Sequence, residues 1–451
     1  MRPALSWSDL PGRRVGVYGL GREGAASARA CRALGIDPVL VDDAPGRVDD
    51  TQPGIRGFPV LRTADDGFEA LTQCDVVIAG PGISRYGPVI EALRRKEIHL
   101  AGGLGLWLAG AELAKVICVT GTKGKSTTTA IIAHLAQGLG MHAQIGGNIG
   151  VPPFDPLLGG DEPDLWVIEV SSYQAVSVQV APPQIGVTSL HPDHLPWHGN
   201  DPERYYRDKL SICRLPGARF TVANGDSPLL RDRESLLGPQ VRWIHAAAAA
   251  GAAWIEGLGL LGVHNRRNAL IAQALLVAAG VTGAGDESAL AAAAGGFQGL
   301  ESRLQHIATV DGVRFIDDGL STNVLPTLAA LDAFEDQRVA LIVGGQDRGI
   351  DYQPLARGLR HRRTELLVIA VPDNGARIRA ELLATDPGPA VTVEQADDLA
   401  QAVTIGYRWA RPDGVVLLSP AAPSFGRFTD YRHRGADFAA AAASCAPPAG
   451  Q

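Results

Sequence analysis

Lysine is almost missing from this sequence. Five of its 41 basic residues are lysine (Lys96, Lys115, Lys123, Lys125 and Lys209), and the remainder are arginine. With abundant alanine and glycine, this is the bias of a GC-rich genome, and it makes each retained lysine informative. Cysteine is sparse as well: there are five, an odd number, and none are spaced as CxxC. That excludes a disulfide framework and a zinc site, and it fits reduced thiols in a cytosol. No run of about 18 apolar residues exists to cross a membrane, and no charged-then-apolar leader opens the chain. The expectation is a cytoplasmic protein without membrane insertion. Positive charge is not in excess either. The 41 basic residues face 48 acidic ones, for a net charge of -7, which argues against nucleic acid as a partner. A local pocket for a small phosphorylated ligand stays open. What remains is an ordinary enzyme composition, 46% hydrophobic and 20% charged over 451 residues. At roughly 100–200 residues per domain, that predicts about three domains.

Each predicted domain reads as α/β. In the first, strand Arg14–Tyr18 runs into Gly19-Leu20-Gly21-Arg22-Glu23-Gly24, then an alanine-rich helix, then a strand ending at Asp42. This is the order of a dinucleotide-type unit, in which glycines let a diphosphate approach a helix N-terminus. A tight turn packing a helix on a sheet would read the same way. A later strand runs into Gly80-Pro81-Gly82-Ile83-Ser84. In the second domain, strand Val116–Thr120 leads into Gly121-Thr122-Lys123-Gly124-Lys125-Ser126-Thr127 and a helix. The strict phosphate-loop pattern places glycine five residues before Gly124, where Val119 stands, so this is a shortened variant. Its backbone amides can cradle phosphates, Lys125 can reach the β/γ oxygens and Ser126 can ligate Mg²⁺.

Beyond the loop, strand Leu165–Val170 carries Glu169 near its end, well placed to hold Mg²⁺. The next strand ends in His191-Pro192-Asp193-His194, with His198 close behind. Three histidines and an aspartate suggest a metal or phosphate site, although a solvated loop has the same composition. Lys209 lies on a predicted helix over 201–214. The third domain has polar or glycine-rich clusters after several of its strands, at 317–319, 344–349 and 419–424, where ligands bind in parallel sheets.

Taken together, GTKGKST at 121–127, GGNIG at 146–150, EVSSYQ at 169–174, the DH of 193–194, DKL at 208–210, HNRRN at 264–268, ESR at 301–303, STN at 321–323 and LSP at 418–420 resemble the Mur ligase superfamily over nearly the whole chain. The glycine motifs at 19–24 and 80–84 are similar to those of its glutamate-adding branch. The resemblance implies three α/β domains: an N-terminal Rossmann-like UDP-sugar domain (1–112), a central P-loop ATPase-like domain (113–301) and a C-terminal Rossmann-like domain (302–451). It implies a monomeric, ADP-forming amide ligase using ATP and Mg²⁺. Such an enzyme joins glutamate to UDP-N-acetylmuramoyl-L-alanine through an acyl phosphate.

Lys125, His194 and Lys209 are the implied catalytic residues. Ser126, Glu169, His194 and Lys209 are the implied metal ligands, the last as a carbamylated lysine. ATP falls to residues 121–127 (Gly121, Thr122, Lys123, Gly124, Lys125, Ser126, Thr127) with Asn265, Asn268, Arg303 and Asp318. The UDP-sugar falls to Gly19, Leu20, Gly21, Asp42, Gly82, Ser84, Asn148, Ser171 and Ser172, and glutamate to Thr322, Arg348, Ser424 and Phe428.

Four positions depart from the pattern. Lys123 replaces an asparagine, Leu320 a lysine and Arg348 a lysine. Gly103-Leu104-Gly105 stands where an acidic pair is usual. Changes around the amino-acid pocket favour the branch that adds L-glutamate over the one that adds D-glutamate. A folylpolyglutamate synthase, a non-catalytic ATP-binding scaffold and an NAD-dependent dehydrogenase are the alternatives.

Overall fold

The computed structural model describes residues 4–44, 55–424 and 426–446. Among them, seventeen strands form three sheets with helices on their faces. The first sheet contains β1 (Val15–Tyr18), β2 (Val39–Val41), β3 (Val60–Leu61), β4 (Val76–Ala79) and β5 (His99–Ala101), in the order β3-β2-β1-β4-β5, all parallel. The second contains β6 (Val116–Thr120), β7 (Ala143–Gly147), β8 (Leu165–Glu169), β9 (Gln184–Val187), β10 (Phe220–Asn224) and β11 (Val241–Ile244). Its order is β11-β10-β9-β6-β8-β7, again parallel throughout. The third contains β12 (Gln305–Val310), β13 (Val313–Asp317), β14 (Val339–Val343), β15 (Leu366–Ala370), β16 (Val391–Gln395) and β17 (Val415–Leu418). Its order is β12-β13-β17-β14-β15-β16, with only β12 antiparallel.

The strands are short, near-continuous apolar runs because both faces are covered. Separate apolar clusters line the two faces of the first sheet and of the third. The order of the second sheet matters most for function. β6, which feeds the glycine loop, lies between β8, which ends in Glu169, and β9, which leads to His191. Parallel strands bring those three carboxyl ends to one edge, where such sheets bind ligands.

The chain divides into two compact units, Met1–Gly257 with Arg267–Phe297, and Leu258–Arg266 with Gln298–Gln451. The first two sheets share the first unit. Arg29 grips the buried Asp155 through two hydrogen bonds of 2.8 and 2.5 Å, and the Trp7 and Phe154 rings pack tilted with centroids 5.1 Å apart. This packing explains the Gly103-Leu104-Gly105 departure. A Cβ on Gly103 would lie 2.4 Å from the Phe154 ring, and one on Gly105 would lie 2.2 Å from the Ser177 carbonyl oxygen. An acidic side chain has no room at either position. The alanine stretch at 246–250 forms part of a 3₁₀ turn, Ala246–Gly251.

Candidate functional site

The glycine loop after β6 is built as a rigid cradle. Gly121 has φ +134 and Gly124 φ +87, both in the region that favours glycine. A Cβ on Gly121 would meet Thr188 Oγ1 at 2.2 Å. The end of β9 braces the loop. The Thr122 amide donates to the Ser189 carbonyl at 2.8 Å, the Lys123 amide to Ser189 Oγ at 2.8 Å, and Thr188 Oγ1 to the Lys123 carbonyl at 2.6 Å. Thr122 Oγ1 also lies 2.8 Å from the Tyr205 hydroxyl. Thr188, Ser189 and Tyr205 were not singled out from the sequence. The available signal was the Thr-Ser pair ending an otherwise apolar strand. Lys125 opens helix Lys125–Gly138, and its Nζ donates to the Thr122 carbonyl at 3.2 Å. A Cβ on Gly124 would lie 3.0 Å from Asn268 Oδ1, which places this amide against the loop.

Glu169 is 1% exposed. Its Oε1 accepts from Asn148 Nδ2 at 2.6 Å, and its Oε2 is buried without a hydrogen-bond partner. A buried carboxylate oxygen without a partner is costly unless something else completes it. Lys209 is 3% exposed, and its Nζ donates to the Gly121 carbonyl at 3.0 Å. Burial, reinforced by the charges of Lys125 and Lys123, pushes its ammonium well below the ordinary lysine range, with Asp193 and Glu169 opposing. Lys123 pairs with Asp193 at 3.2 Å.

The three histidines separate. His194 takes φ +52, and its side chain is 58% exposed beside the Tyr173 ring. Despite that exposure, the protein packed around it holds its pKa below the ordinary value, and Lys123, Lys209 and Lys125 add to the effect against Asp193. His191 exchanges backbone hydrogen bonds with Thr122 Oγ1. His198 is fully buried and committed to Asp208 and Ser172, so it does not face solvent as a ligand.

Among the described residues, no three His, Cys, Asp or Glu side chains group as a metal site. Glu169, with its unmatched Oε2, and the loop residue Ser126 are oxygen donors. They fit Mg²⁺ arriving with phosphate, since this ion keeps waters and takes one or two carboxylates plus phosphate oxygens.

Around the first sheet, the Asp42 carboxylate accepts from the Leu20 amide at 2.6 Å and the Ala44 amide at 2.7 Å, so it shapes the loop. A Cβ on Gly24 or Gly80 would strike the Gly19 carbonyl oxygen at 1.9 or 2.7 Å, whereas one on Gly21 or Gly82 meets nothing within 4 Å. Ser84 Oγ donates to the Trp197 carbonyl at 2.7 Å. Ser171 caps the short helix Ser172–Ala175 by accepting from the Gln174 amide, and Ser172 Oγ meets His198. These three serine hydroxyls are thus engaged within the protein. Arg22 donates to the Asn148 carbonyl at 2.5 Å, which links the glycine loop of the first sheet to the partner of Glu169.

In the second unit, Asp317 accepts from Ser302 Oγ at 2.7 Å and the Gly319 amide at 2.8 Å. Asp318 accepts from Ser321 and from Ser419 Oγ. Burial raises its pKa to about 6, opposed by those hydroxyls and by Arg303. Arg434, not anticipated from the sequence, is 2% exposed. It donates to the Gly319 carbonyl at 2.7 Å and to that of Ala422, tying the loops after β13 and β17. Arg348 is exposed, with Nε donating to Gln346 Oε1 at 3.1 Å, and Thr322 is exposed as well. Ser424 is buried, and Phe428 packs on the apolar cluster of one sheet face. The Asn265 amide donates to the Leu261 carbonyl.

A strand–glycine loop–helix with a lysine opening the helix, on a parallel sheet whose neighbouring strand ends in a buried glutamate, defines the phosphate-loop class of nucleotide-binding proteins. Comparison with known proteins agrees. Residues 119–257 match the Mur ligase middle domain, and residues 302–422 match the Mur ligase, glutamate ligase domain. The chain belongs to the Mur ligase family. A Micromonospora protein named UDP-N-acetylmuramoyl-L-alanine–L-glutamate ligase is 40% identical, over 96% of this chain and 97% of that protein. One of the same name from Xanthomonas axonopodis pv. citri is 37% identical, over 96% and 95%. In fold, the chain is similar to the UDP-N-acetylmuramate-alanine ligase of Thermotoga maritima. Its TM-score is 0.56 at 19% identity, covering 96% of this chain and all of that one. No helix among the described residues is long and apolar enough to cross a membrane.

Proposed function

We propose that this protein is an ADP-forming ligase that adds L-glutamate to UDP-N-acetylmuramoyl-L-alanine in peptidoglycan precursor synthesis, a cytoplasmic reaction. The observation that carries the chemistry is the braced glycine loop, with Lys125 opening the helix behind it, following the strand that pairs with the strand of Glu169, whose buried Oε2 has no protein partner. In this reading residues 1–112 hold the UDP-sugar, residues 113–301 bind ATP and residues 302–451 serve ATP and glutamate. The glycines at 21 and 82 support the first assignment. The protein leaves space for a side chain at both, so a closely approaching ligand supplies the reason for glycine.

The loop amides and Lys125 bind the ATP phosphates. The alanyl carboxylate attacks the γ-phosphorus, the bond to the bridging oxygen breaks, and ADP leaves with that oxygen. The glutamate amine then attacks the acyl carbon, and the tetrahedral intermediate expels phosphate while the amine loses a proton. Lys125 meets charge that grows on the transferring group. Mg²⁺, when bound with the nucleotide, supplies further neutralisation, and Ser126, Glu169, His194 and Lys209 are the residues that would hold it. The buried, depressed Lys209 amine is the form that reacts with CO₂. Its nitrogen bonds the carbon, a proton leaves, and a carbamate with two oxygens results.

Specificity for the L isomer rests on the relatives' names and on Arg348. D- and L-glutamate must present their amines to the same acyl carbon at about 3–3.5 Å, so at least one carboxylate is displaced between them. A planar guanidinium can grip a displaced carboxylate with two hydrogen bonds where lysine offers a point charge. The test is phosphate release from ATP with UDP-N-acetylmuramoyl-L-alanine and each isomer in turn. L-glutamate is expected to support the faster turnover, and Arg348→Lys to raise KM for glutamate more than for ATP. Turnover with D-glutamate alone would refute the L assignment and leave the ligase intact.

A further inference from the structure

The buried ring of His198 lies where several segments of the first unit meet. Its Nδ1 is 2.6 Å from Asp208 Oδ2, and its Nε2 is 3.1 Å from Ser172 Oγ. A carboxylate only accepts, so Nδ1 donates to Asp208; in the neutral ring Nε2 then accepts from the serine hydroxyl. Ser172 is three residues beyond Glu169, His198 four beyond His194, and Asp208 is the neighbour of Lys209 on helix Pro202–Leu210. One imidazole therefore bonds the three segments that carry Glu169, His194 and Lys209. The arrangement has the order of a nucleophile triad, but Ser172 and His198 are 3% and 0% exposed, so no substrate reaches it.

A second set of bonds ties this node to the loop after β4. The Tyr86 hydroxyl donates to the Asp208 carboxylate at 2.7 and 2.8 Å. Ser84 Oγ donates to the Trp197 carbonyl at 2.7 Å, and Trp197 Nε1 donates to the Pro81 carbonyl at 3.0 Å. Three side chains thus fasten loop 80–86 to the turn 195–198 and to the helix of Lys209.

We propose that His198 is a positioning residue: through Asp208 and Ser172 it holds the segments of Glu169, His194 and Lys209 in one register, and through Tyr86 that register is coupled to the loop proposed to hold the sugar nucleotide. The proposal rests on the metal-nucleotide reading given above. Outer partners that fix the carriers of metal ligands typically govern affinity or activity by about 10–100-fold.

The test uses the full-length protein with ADP and titrates Mn²⁺, reading the free ion by electron paramagnetic resonance. His198→Ala is expected to weaken Mn²⁺ binding about 10-fold or more. His198→Asn, whose amide can still donate to Asp208, is expected to recover part of that loss, which a merely structural defect would not predict. Adding UDP-N-acetylmuramoyl-L-alanine is expected to tighten Mn²⁺ binding in the wild type, and Tyr86→Phe to diminish that tightening. A folded His198→Ala protein that binds Mn²⁺ like the wild type overturns the proposal. If His198→Ala does not fold, wild-type Mn²⁺ affinity in His198→Asn together with undiminished tightening in Tyr86→Phe overturns it equally. A wild-type protein that binds no Mn²⁺ with ADP would instead remove the metal-nucleotide reading, and this proposal with it.

Discussion

The second and third sheets place charged residues at the carboxyl ends of parallel strands in the same way, yet use them differently. At the end of β13, Asp317 and Asp318 receive hydroxyl and amide donors from their own unit, and Arg434 gives its protons to two loop carbonyls. The charges there are consumed in holding loops together. At the end of β6, Thr188, Ser189 and backbone amides fix the loop, together with the ammonium groups of Lys125 and Lys209, which donate to its carbonyls. Glu169 next door keeps one oxygen without a partner. Position at a strand end is thus insufficient to mark a chemical group. What distinguishes the two clusters is whether hydrogen-bonding capacity is already spent inside the protein.

That contrast can be broken by substitution. Lys125→Ala is expected to lower kcat by about 10³-fold or more, the scale of a cation on a transferring phosphoryl group, with an unchanged melting temperature. Near-normal phosphate release by a folded variant would show that the loop lysine is structural too. Lys209→Ala should lower kcat by about 10²–10³-fold and be partly restored by short carboxylic acids, which replace the carbamate oxygens. Full activity without any additive would take the carbamate out of the mechanism.

The third sheet should respond in stability. Arg434→Met leaves the Gly319 and Ala422 carbonyls without their buried donor, a change expected to cost about 2 kcal/mol in denaturant unfolding. A loss well under 1 kcal/mol would contradict its role as the tie between loops. Asp318 sharpens the comparison through pH. Its carboxyl is raised from 3.8 to about 6 in the folded protein, so its protonated form is favoured by folding. The stability this confers is fully present below about pH 4 and is lost as pH rises through 6. At 1.36 kcal/mol per unit, the wild type should lose roughly 2 kcal/mol relative to Asp318→Asn between pH 4 and 7. Parallel pH profiles for the two proteins would remove the buried-acid account.

Much of this was legible in the chain. Apolar runs separated by glycine-rich turns specify parallel α/β sheets because both faces of such strands are buried. The lysine, serine and glycines at 121–127 announce a phosphate loop because few other residues permit that turn. Less legible were residues whose roles depend on partners far along the chain. His191, His194 and His198 look equivalent in sequence. Folding exposes His194, leaves His191 beside the loop and buries His198 against Asp208. Ser171 and Ser172 read as ligand contacts, and the fold gives them bonds that the sequence does not announce: one caps a helix and the other meets that buried imidazole. Nothing near Arg434 indicates that it would reach Gly319.

By itself, the sequence determined the local chemistry: which segments become strands, which loop can wrap phosphate, and which cations and carboxylates are available. The tertiary structure decided which of those groups keep a free valence for a ligand. That depends on strand order and burial, which place a donor 2.7 Å from one carboxylate and leave an oxygen of another unmatched. The physical reason is that a side chain's type sets what it can bond, while only the folded neighbourhood sets what it has already bonded.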